Sequence, residues 1–394
     1  VGLRVFFPRY RYVADSDQVR NALRIMARKP DTRTERKHPD SGRRHPVIYN
    51  RHGLRRNREV DDGAEVRIGV FGDSFTENVN LDAPHMFTEL LDFLLNAFSG
   101  PRCDVLNLGV EGYGTDQALL YFREWSANQP PLDHVFYVLC RNDLLNIHEN
   151  QLFGLDPSGA LRRNPAPASN PWVRMAGRLH LTYLVMDVAL RLSGKQERSV
   201  DAVFTAARNR GLLEARRERS SGKAAEALRS ELRAMQRDGD SGEAETLAPV
   251  LIFQALLAAW REAVEEEGGR FHVVVLPHLR EHRLRALIDD SYSVVDLYAA
   301  FQDEIEGYRY AEHVRLRNDT HWNERGNLLA AKTLYRFLEP RFGRVRSDAE
   351  LGHQIGVYYA SVAGGWLPEP SWIAPADPGS EEAARIRARY RGLE

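Results

Sequence analysis

The sequence predicts an α/β protein whose centre is a mainly parallel, doubly wound sheet. Short β-branched and aromatic runs alternate with segments whose apolar residues recur at helical spacing. The first such run, in VRIGVFGDSFTEN from Val66 to Asn78, breaks at Gly72 and is followed at once by Asp73 and Ser74. A parallel strand delivers the residues after its carboxyl end to the ligand-binding edge of the sheet, so this junction is where a reactive side chain belongs.

Each element follows from its own pattern. Val1 to Asp61 is rich in Arg, Pro and aromatic residues without a sustained period and reads as an arm lying on the core, with no chemistry of its own. Its charged stretch from Lys29 to Arg44 reads as a solvated loop, a basic ligand-facing patch being the other reading. After the Val66–Phe71 strand, Met86, Leu90, Leu91, Leu94, Leu95 and Phe98 recur with the period of a covering helix, which Ser99-Gly100-Pro101 ends. Cys103 to Val110 reads as the second strand, and Leu119, Leu120 and Phe122 mark the next helix. His134 to Cys140 reads as the third strand, closing on Arg141-Asn142-Asp143.

From about 151 to 269 the pattern turns to long helical stretches, the last of them at Leu247–Glu267, and predicts a helical insertion in the sheet domain. Phe271–Leu276 then gives a strand, Leu279–Ile288 a short helix and Val294–Leu297 a further short strand. A final helix carries Leu328, Leu329, Ala331, Leu334, Phe337 and Leu338, with Asn323 as its N-cap. The expected organisation is an arm at 1–61, an α/β domain at 62–340 with its insertion, and a tail at 341–394.

Composition narrows the function classes. Lys+Arg 54 against Asp+Glu 55 leaves a net charge of -1, so no global field draws in nucleic acid or an anionic membrane. No apolar run reaches the ~18 residues of a membrane helix. The chain begins at Val1 rather than Met, which suggests a removed targeting or anchoring segment and an extracytoplasmic location, the alternative being cytoplasmic. Cys103 and Cys140 sit in apolar strand-like runs and read as small core residues.

A serine hydroxyl needs a base to take its proton, a group to orient that base, and donors for the oxyanion that forms. His321 supplies the base, because Asp319 lies two residues before it in a loop where a turn can bring carboxylate and imidazole together. Asn142 and the Gly109-x-x-Gly112-x-Gly114 loop each follow a strand's carboxyl end, so an amide and a backbone N–H can converge near Ser74.

With these residues in order, the chain resembles the SGNH (GDSL-type) hydrolase superfamily of esterases, lipases and carbohydrate O-acyl enzymes. Gly72-Asp73-Ser74 is similar to its first block, Gly112 in NLGVEGYG to the second, Asn142 in RND to the third, and Asp319 with His321 to the last. The resemblance implies a three-layer, flavodoxin-like α/β/α sandwich, Ser74 as nucleophile, and an oxyanion hole from the Ser74 and Gly112 N–H groups and the Asn142 amide. It implies no metal or organic cofactor.

Departures are visible. The family's last block is usually Asp-x-x-His, and Asn318 occupies that Asp position, so Asn318 stands as a second candidate beside Asp319. The Asp-Thr-His-Trp spacing is similar to the alginate O-acetylation branch. Asn78 and Cys140 stand where the family commonly has glycine; Asn tolerates positive φ and Cys does so poorly, so the loop at Cys140 is expected to differ.

Other motifs read as structural. Gly239-Asp240-Ser241-Gly242 follows charged MQRD and reads as a loop between two helices of the insertion. The glycines after the second strand lack a dinucleotide fingerprint, and His272, His278 and His282 lack zinc spacing. Trp322 reads either as a sugar-stacking face or as packing. The expected function is a serine esterase acting on O-acyl esters, above all acetyl esters, of a carbohydrate or related small molecule. An O-acetyltransferase using the same residues is the alternative. A catalytically silent binder of a glycan or partner, docking through the insertion, is the reading from a different class.

Overall fold

The computed structural model describes residues 26–164, 241–277, 284–304 and 313–362 except 57, 99, 343 and 344, together with 18–20 and scattered positions from 377 to 386. The helical patterns read between 165 and 236, the residues Gly239, Asp240, His278 and His282, and the start of the 279–288 helix lie outside the described residues.

Besides a short antiparallel pair at Gln18–Arg20 and Met26–Arg28, the strands, in chain order, are β1 (Thr32–Lys37), β2 (Arg44–Tyr49), β3 (Val66–Gly72), β4 (Cys103–Gly109), β5 (His134–Leu139), β6 (Phe153–Leu155), β7 (Leu161–Arg163), β8 (Arg270–Val275) and β9 (Ser293–Asp296). The helices are α1 (Ser74–Glu77), α2 (Phe87–Ala97), α3 (Thr115–Asn128), α4 (Asp143–Asn150), α5 (Ser241–Glu266), α6 (Leu297–Glu304), α7 (Glu324–Leu338) and α8 (Asp348–Val362).

Five strands form the central sheet in the order β9-β8-β5-β3-β4, every pair parallel. Counted by appearance within the sheet, this is the flavodoxin-like order in which the chain reverses direction between its first and third strands. The exits of β3 and β5 therefore sit side by side at the topological switch point.

Both faces of the sheet are covered, which is why its strands read as nearly continuous apolar runs. On one face Ile68, Val70, Val105, Phe136, Val138 and Val274 pack into a core with Leu90, Leu94, Leu328 and Leu334 of α2 and α7. On the other, Phe71, Leu106, Tyr137, Leu139 and Val273 meet Leu119 and Phe122 of α3 and Phe253 and Trp260 of α5. The result is a three-layer α/β/α sandwich. Helix α5, read from the sequence as part of the insertion, packs directly on the sheet as the crossover from β5 to β8. Among the described residues no helix is long and apolar enough to cross a membrane.

Two local readings are corrected. Lys29–Arg44 is not a plain loop: it holds β1 and the turn of an antiparallel hairpin with β2. Strand β1, TRTERK, carries no apolar residue, so its period was invisible. It forms because β2 anchors the pair through Val47 and Tyr49, buried against Val79. Ser241 and Gly242, the described half of the second Gly-Asp-Ser-Gly, open α5 rather than lying in a loop. His272 pairs inside the sheet through Nε2 with His134 Nδ1 at 2.9 Å and through Nδ1 with the Ser293 hydroxyl at 2.9 Å. Burial and neighbouring positive charge push His134 down to about 4 and His272 to about 3. Both remain neutral packing residues near pH 7.

The segment after the hairpin is tied to the sheet edge by buried charge. Arg56 Nη2 donates to Asp104 Oδ1 at 2.8 Å with both side chains fully buried, and the Asp61 N–H takes the other carboxylate oxygen at 2.8 Å. Removing one member of such a pair strands its partner's charge in a low dielectric. Asp104→Ala is expected to lose about 3–5 kcal/mol, seen as a lowered urea midpoint, whereas Glu35→Ala at the exposed Glu35–Arg44 pair stays within about 0.5 kcal/mol.

Candidate active site

The site is assembled at the carboxyl edge of the sheet, where β3 turns into α1. Asp73 caps that turn by accepting the Phe75 N–H at 3.0 Å, which leaves Ser74 as its first residue. The turn is pressed so closely onto the strand ends that side chains would not fit beneath it. A Cβ on Gly72 would lie 2.4 Å from Thr76 Oγ1, and one on Gly109 would lie 2.5 Å from the Glu77 backbone nitrogen. Because α1 is a single turn, it offers individual N–H groups rather than a summed helix dipole. Asn78 ends it in the left-handed region at φ 56, as an Asn at a glycine position can, and its Nδ2 donates to Asn327 Oδ1 at 2.5 Å.

His321 reaches the same point from the far end of the domain. Its Nε2 lies 2.7 Å from Ser74 Oγ, and its Nδ1 hydrogen-bonds Asp319 Oδ1. The Asp-x-His spacing works because Asp319 makes an Asx turn: the same Oδ1 accepts the His321 backbone N–H at 2.9 Å. Backbone bonds Leu316 N–H to His321 O and Asn323 N–H to Val314 O close the base of this loop, both at 3.0 Å. Asn323 caps α7 by accepting the Gly326 N–H. Asn318 points elsewhere, toward Pro39 and Asp40, so of the two carboxylate-position candidates only Asp319 meets the imidazole.

The electrostatics favour a basic imidazole. Burial alone lowers the His321 pKa, but the hydrogen bond and charge of Asp319, with the charges of Asp73 and Glu111, outweigh it and hold the pKa above the usual 6.5. Burial opposes the Asp319 carboxylate, and its bonds from His321 more than compensate, so its pKa falls below the usual value. Asp73 is pushed up, first by burial, against the favourable contacts of the Phe75 N–H, Cys140, His321 and Asn142.

Gly112 and Asn142 lie on the turns that follow β4 and β5, the two strands that pair with β3. Asn142 begins α4, half-exposed, with its amide against the Asp73 carboxylate. The turn carrying it is pinned by buried Asp143, whose Oδ2 accepts the Tyr137 hydroxyl at 2.6 Å and the Cys140 N–H at 2.8 Å. Cys140 is not among the positive-φ residues, so this turn is built without the left-handed residue that a glycine would supply. Gly112 does take the left-handed region, at φ +80, with open space around it. Its carbonyl accepts the Asn146 amide at 3.1 Å, and neighbouring Glu111 donates its N–H to Glu77 Oε2 at 2.7 Å.

That last bond exposes a layer the sequence reading missed. Glu77, wholly buried, accepts Arg28 Nε and Nη2 at 2.5 and 2.6 Å and the Tyr49 hydroxyl at 2.6 Å as well as the Glu111 N–H. The only sequence signal was a Glu three residues after the serine, within a turn too short to hide it unless it was paired. Trp322, offered as a sugar platform, is buried and makes edge contacts with Phe75 at 5.4 Å and Phe87 at 5.9 Å; it is packing.

No protein-family model matches the chain, and no curated protein matches it. Among solved structures it is similar to a member of the lipolytic protein G-D-S-L family from Veillonella parvula, with 13% identity and a TM-score of 0.34 over 71% of this chain and 100% of that one. A putative lipolytic protein of the G-D-S-L family from Desulfitobacterium hafniense gives 11% identity and 0.35 over 69% and 99%. An alpha/beta hydrolase from the metagenome of Lake Arreo, Spain, gives 12% and 0.37 over 72% and 98%. Likeness at this level carries no inference about chemistry, which rests on the geometry of the site itself.

The charge arrangement has a direct test in an NMR titration of the His321 ring. Its pKa is expected above 6.5 in the wild-type chain and lower in Asp319→Asn, where the neutral amide cannot stabilise the imidazolium.

Proposed function

We propose that this protein is a serine-dependent ester hydrolase that works through an acyl-serine intermediate. The observation that carries the proposal is the continuous chain from Ser74 Oγ to His321 Nε2 and from His321 Nδ1 to Asp319. His321 takes the Ser74 proton as Oγ attacks the ester carbonyl, and Asp319 stabilises the imidazolium and fixes its tautomer. The Ser74 and Gly112 N–H groups and the Asn142 amide receive the developing oxyanion. Collapse of the tetrahedral species returns the proton through His321 to the leaving alcohol. Water, activated by the same imidazole, then releases the acid.

For the substrate we propose an O-acyl ester, above all an acetyl ester, of a carbohydrate or a related polyhydroxylated molecule. The polar groups beside these residues support this: Asn80, 3.3 Å from His321 Nδ1, Glu111, whose charge acts on His321, and Asn146, bonded to the Gly112 carbonyl, are at least partly exposed, which suits hydroxyl recognition better than a long acyl chain. Transfer to a second hydroxyl, giving an O-acetyltransferase, would use the same residues and differ only in the acceptor that reaches the acyl-serine.

Intact-mass analysis after a fluorophosphonate probe tests the core of this reading. One adduct is expected on the wild-type chain, retained in Ser241→Ala and lost in Ser74→Ala; a folded wild-type chain that takes no adduct overturns the proposal. With p-nitrophenyl acetate, Asn142→Ala is expected to lower kcat by about 10²–10³ without unfolding the protein, the usual cost of one oxyanion donor. Because the base must be neutral and its pKa is raised, kcat/KM is expected to climb with pH along an acid limb whose midpoint lies above 6.5. Acetate release from acetylated glycans, measured with and without acceptor glycans, separates hydrolysis from transfer.

A further inference from the structure

The hairpin of β1 and β2 touches the loop that carries the base, at a place far from it in sequence. Asp40, at the exposed tip of the hairpin, accepts two consecutive backbone N–H groups, Arg317 at 2.9 Å through Oδ2 and Asn318 at 2.8 Å through Oδ1. These are the two residues immediately before Asp319. The Asn318 amide adds a contact to Asp40 Oδ1 at 3.2 Å. A second contact holds the other end of the loop, where His38 Nε2 lies 3.1 Å from Glu324 Oε1, at the first residue of α7. The loop's internal bonds close its base and hold the Asp319 carbonyl, which accepts Arg315 Nε at 3.0 Å, whereas the Arg317 and Asn318 N–H groups are held from outside the loop, and a carboxylate accepting two adjacent N–H groups fixes both the position and the orientation of the peptide it grips.

We propose that Asp40 is a positioning residue for the acid–base pair: by clamping residues 317–318 it fixes the Asx turn in which Asp319 orients His321 toward Ser74. The proposal rests on the esterase reading and adds to it a part for the N-terminal arm. Asp40 does not touch the reacting atoms. It acts through the backbone, so its loss loosens the geometry of the pair without removing any of its groups, and displacement of a catalytic group by about 1 Å costs on the order of 10²-fold in rate.

The experiment uses the whole chain and p-nitrophenyl acetate, with Asp40→Ala, Asp40→Asn and Glu35→Ala. Glu35 pairs with Arg44 on the exposed hairpin and reports on the hairpin without the clamp. Asp40→Ala is expected to lower kcat about 10- to 100-fold with KM within about twofold. Its acid limb should move to lower pH, because His321 keeps the charges of Asp73 and Glu111 but loses part of the Asp319 hydrogen bond that raises its pKa. Asp40→Asn, which retains one acceptor oxygen, should recover part of the rate, and Glu35→Ala should match the wild type. An Asp40→Ala protein with wild-type kcat and limb overturns the clamp, and so does a rate loss that follows thermal instability with no shift of the limb. If Asp40→Ala fails to fold, Asp40→Asn carries the decision on the same criteria. A wild-type chain inert to both ester and fluorophosphonate defeats the esterase reading itself, a result distinct from a reactive wild type matched by an equally reactive Asp40→Ala.

Discussion

A carboxylate that no water reaches organises the catalytic edge. Glu77 is buried in the single turn that begins with Ser74, and burying such a group is tolerable only if its oxygens are fully engaged. Its partners come from three places: Arg28 from the segment before the hairpin, Tyr49 from the hairpin itself, and the Glu111 N–H from the loop after β4. Each partner is thereby fixed relative to the serine. The Gly112 N–H lies one residue from this knot, so the same interaction that satisfies a buried acid also sets where that N–H stands. Glycines at 72 and 109 complete the arrangement by letting the turn settle against the strand ends.

Topology does the rest. In the order β9-β8-β5-β3-β4 the chain leaves β3 for one face of the sheet and approaches β5 from the other, which opens a crevice between their exits. Ser74 stands at one lip and Asn142 at the other. His321 arrives on a closed loop rather than a strand, and this matters because residues two apart in a strand would share a face without the turn that folds Asp319 back to both the His321 backbone and ring.

Much of this was legible in the sequence. The alternation of apolar runs and helical periods gave the parallel sheet, since strands covered on both faces carry a continuous apolar signature. The residues expected to meet at its edge, Ser74, Gly112, Asn142, Asp319 and His321, all follow strand exits or precede a helix, where local pattern is informative. What stayed hidden has a common cause. Arg28, Tyr49 and Asp40 act through contacts across tens to hundreds of residues, and β1 has no apolar period to announce it, so no local pattern marks them. The ambiguity between Asn318 and Asp319 was likewise unresolvable from spacing, because it depends on which side chain the hairpin captures.

The grip of Asp40 on Asn318 spans 278 residues of a 394-residue chain. During synthesis the hairpin and Ser74 emerge well before the loop that carries Asp319 and His321. The nascent protein therefore carries Ser74 without its imidazole partner until almost all of the domain has been made. Such long-range closure slows folding, but it also means that interrupted synthesis before the histidine loop leaves fragments in which Ser74 meets neither His321 nor Asp319.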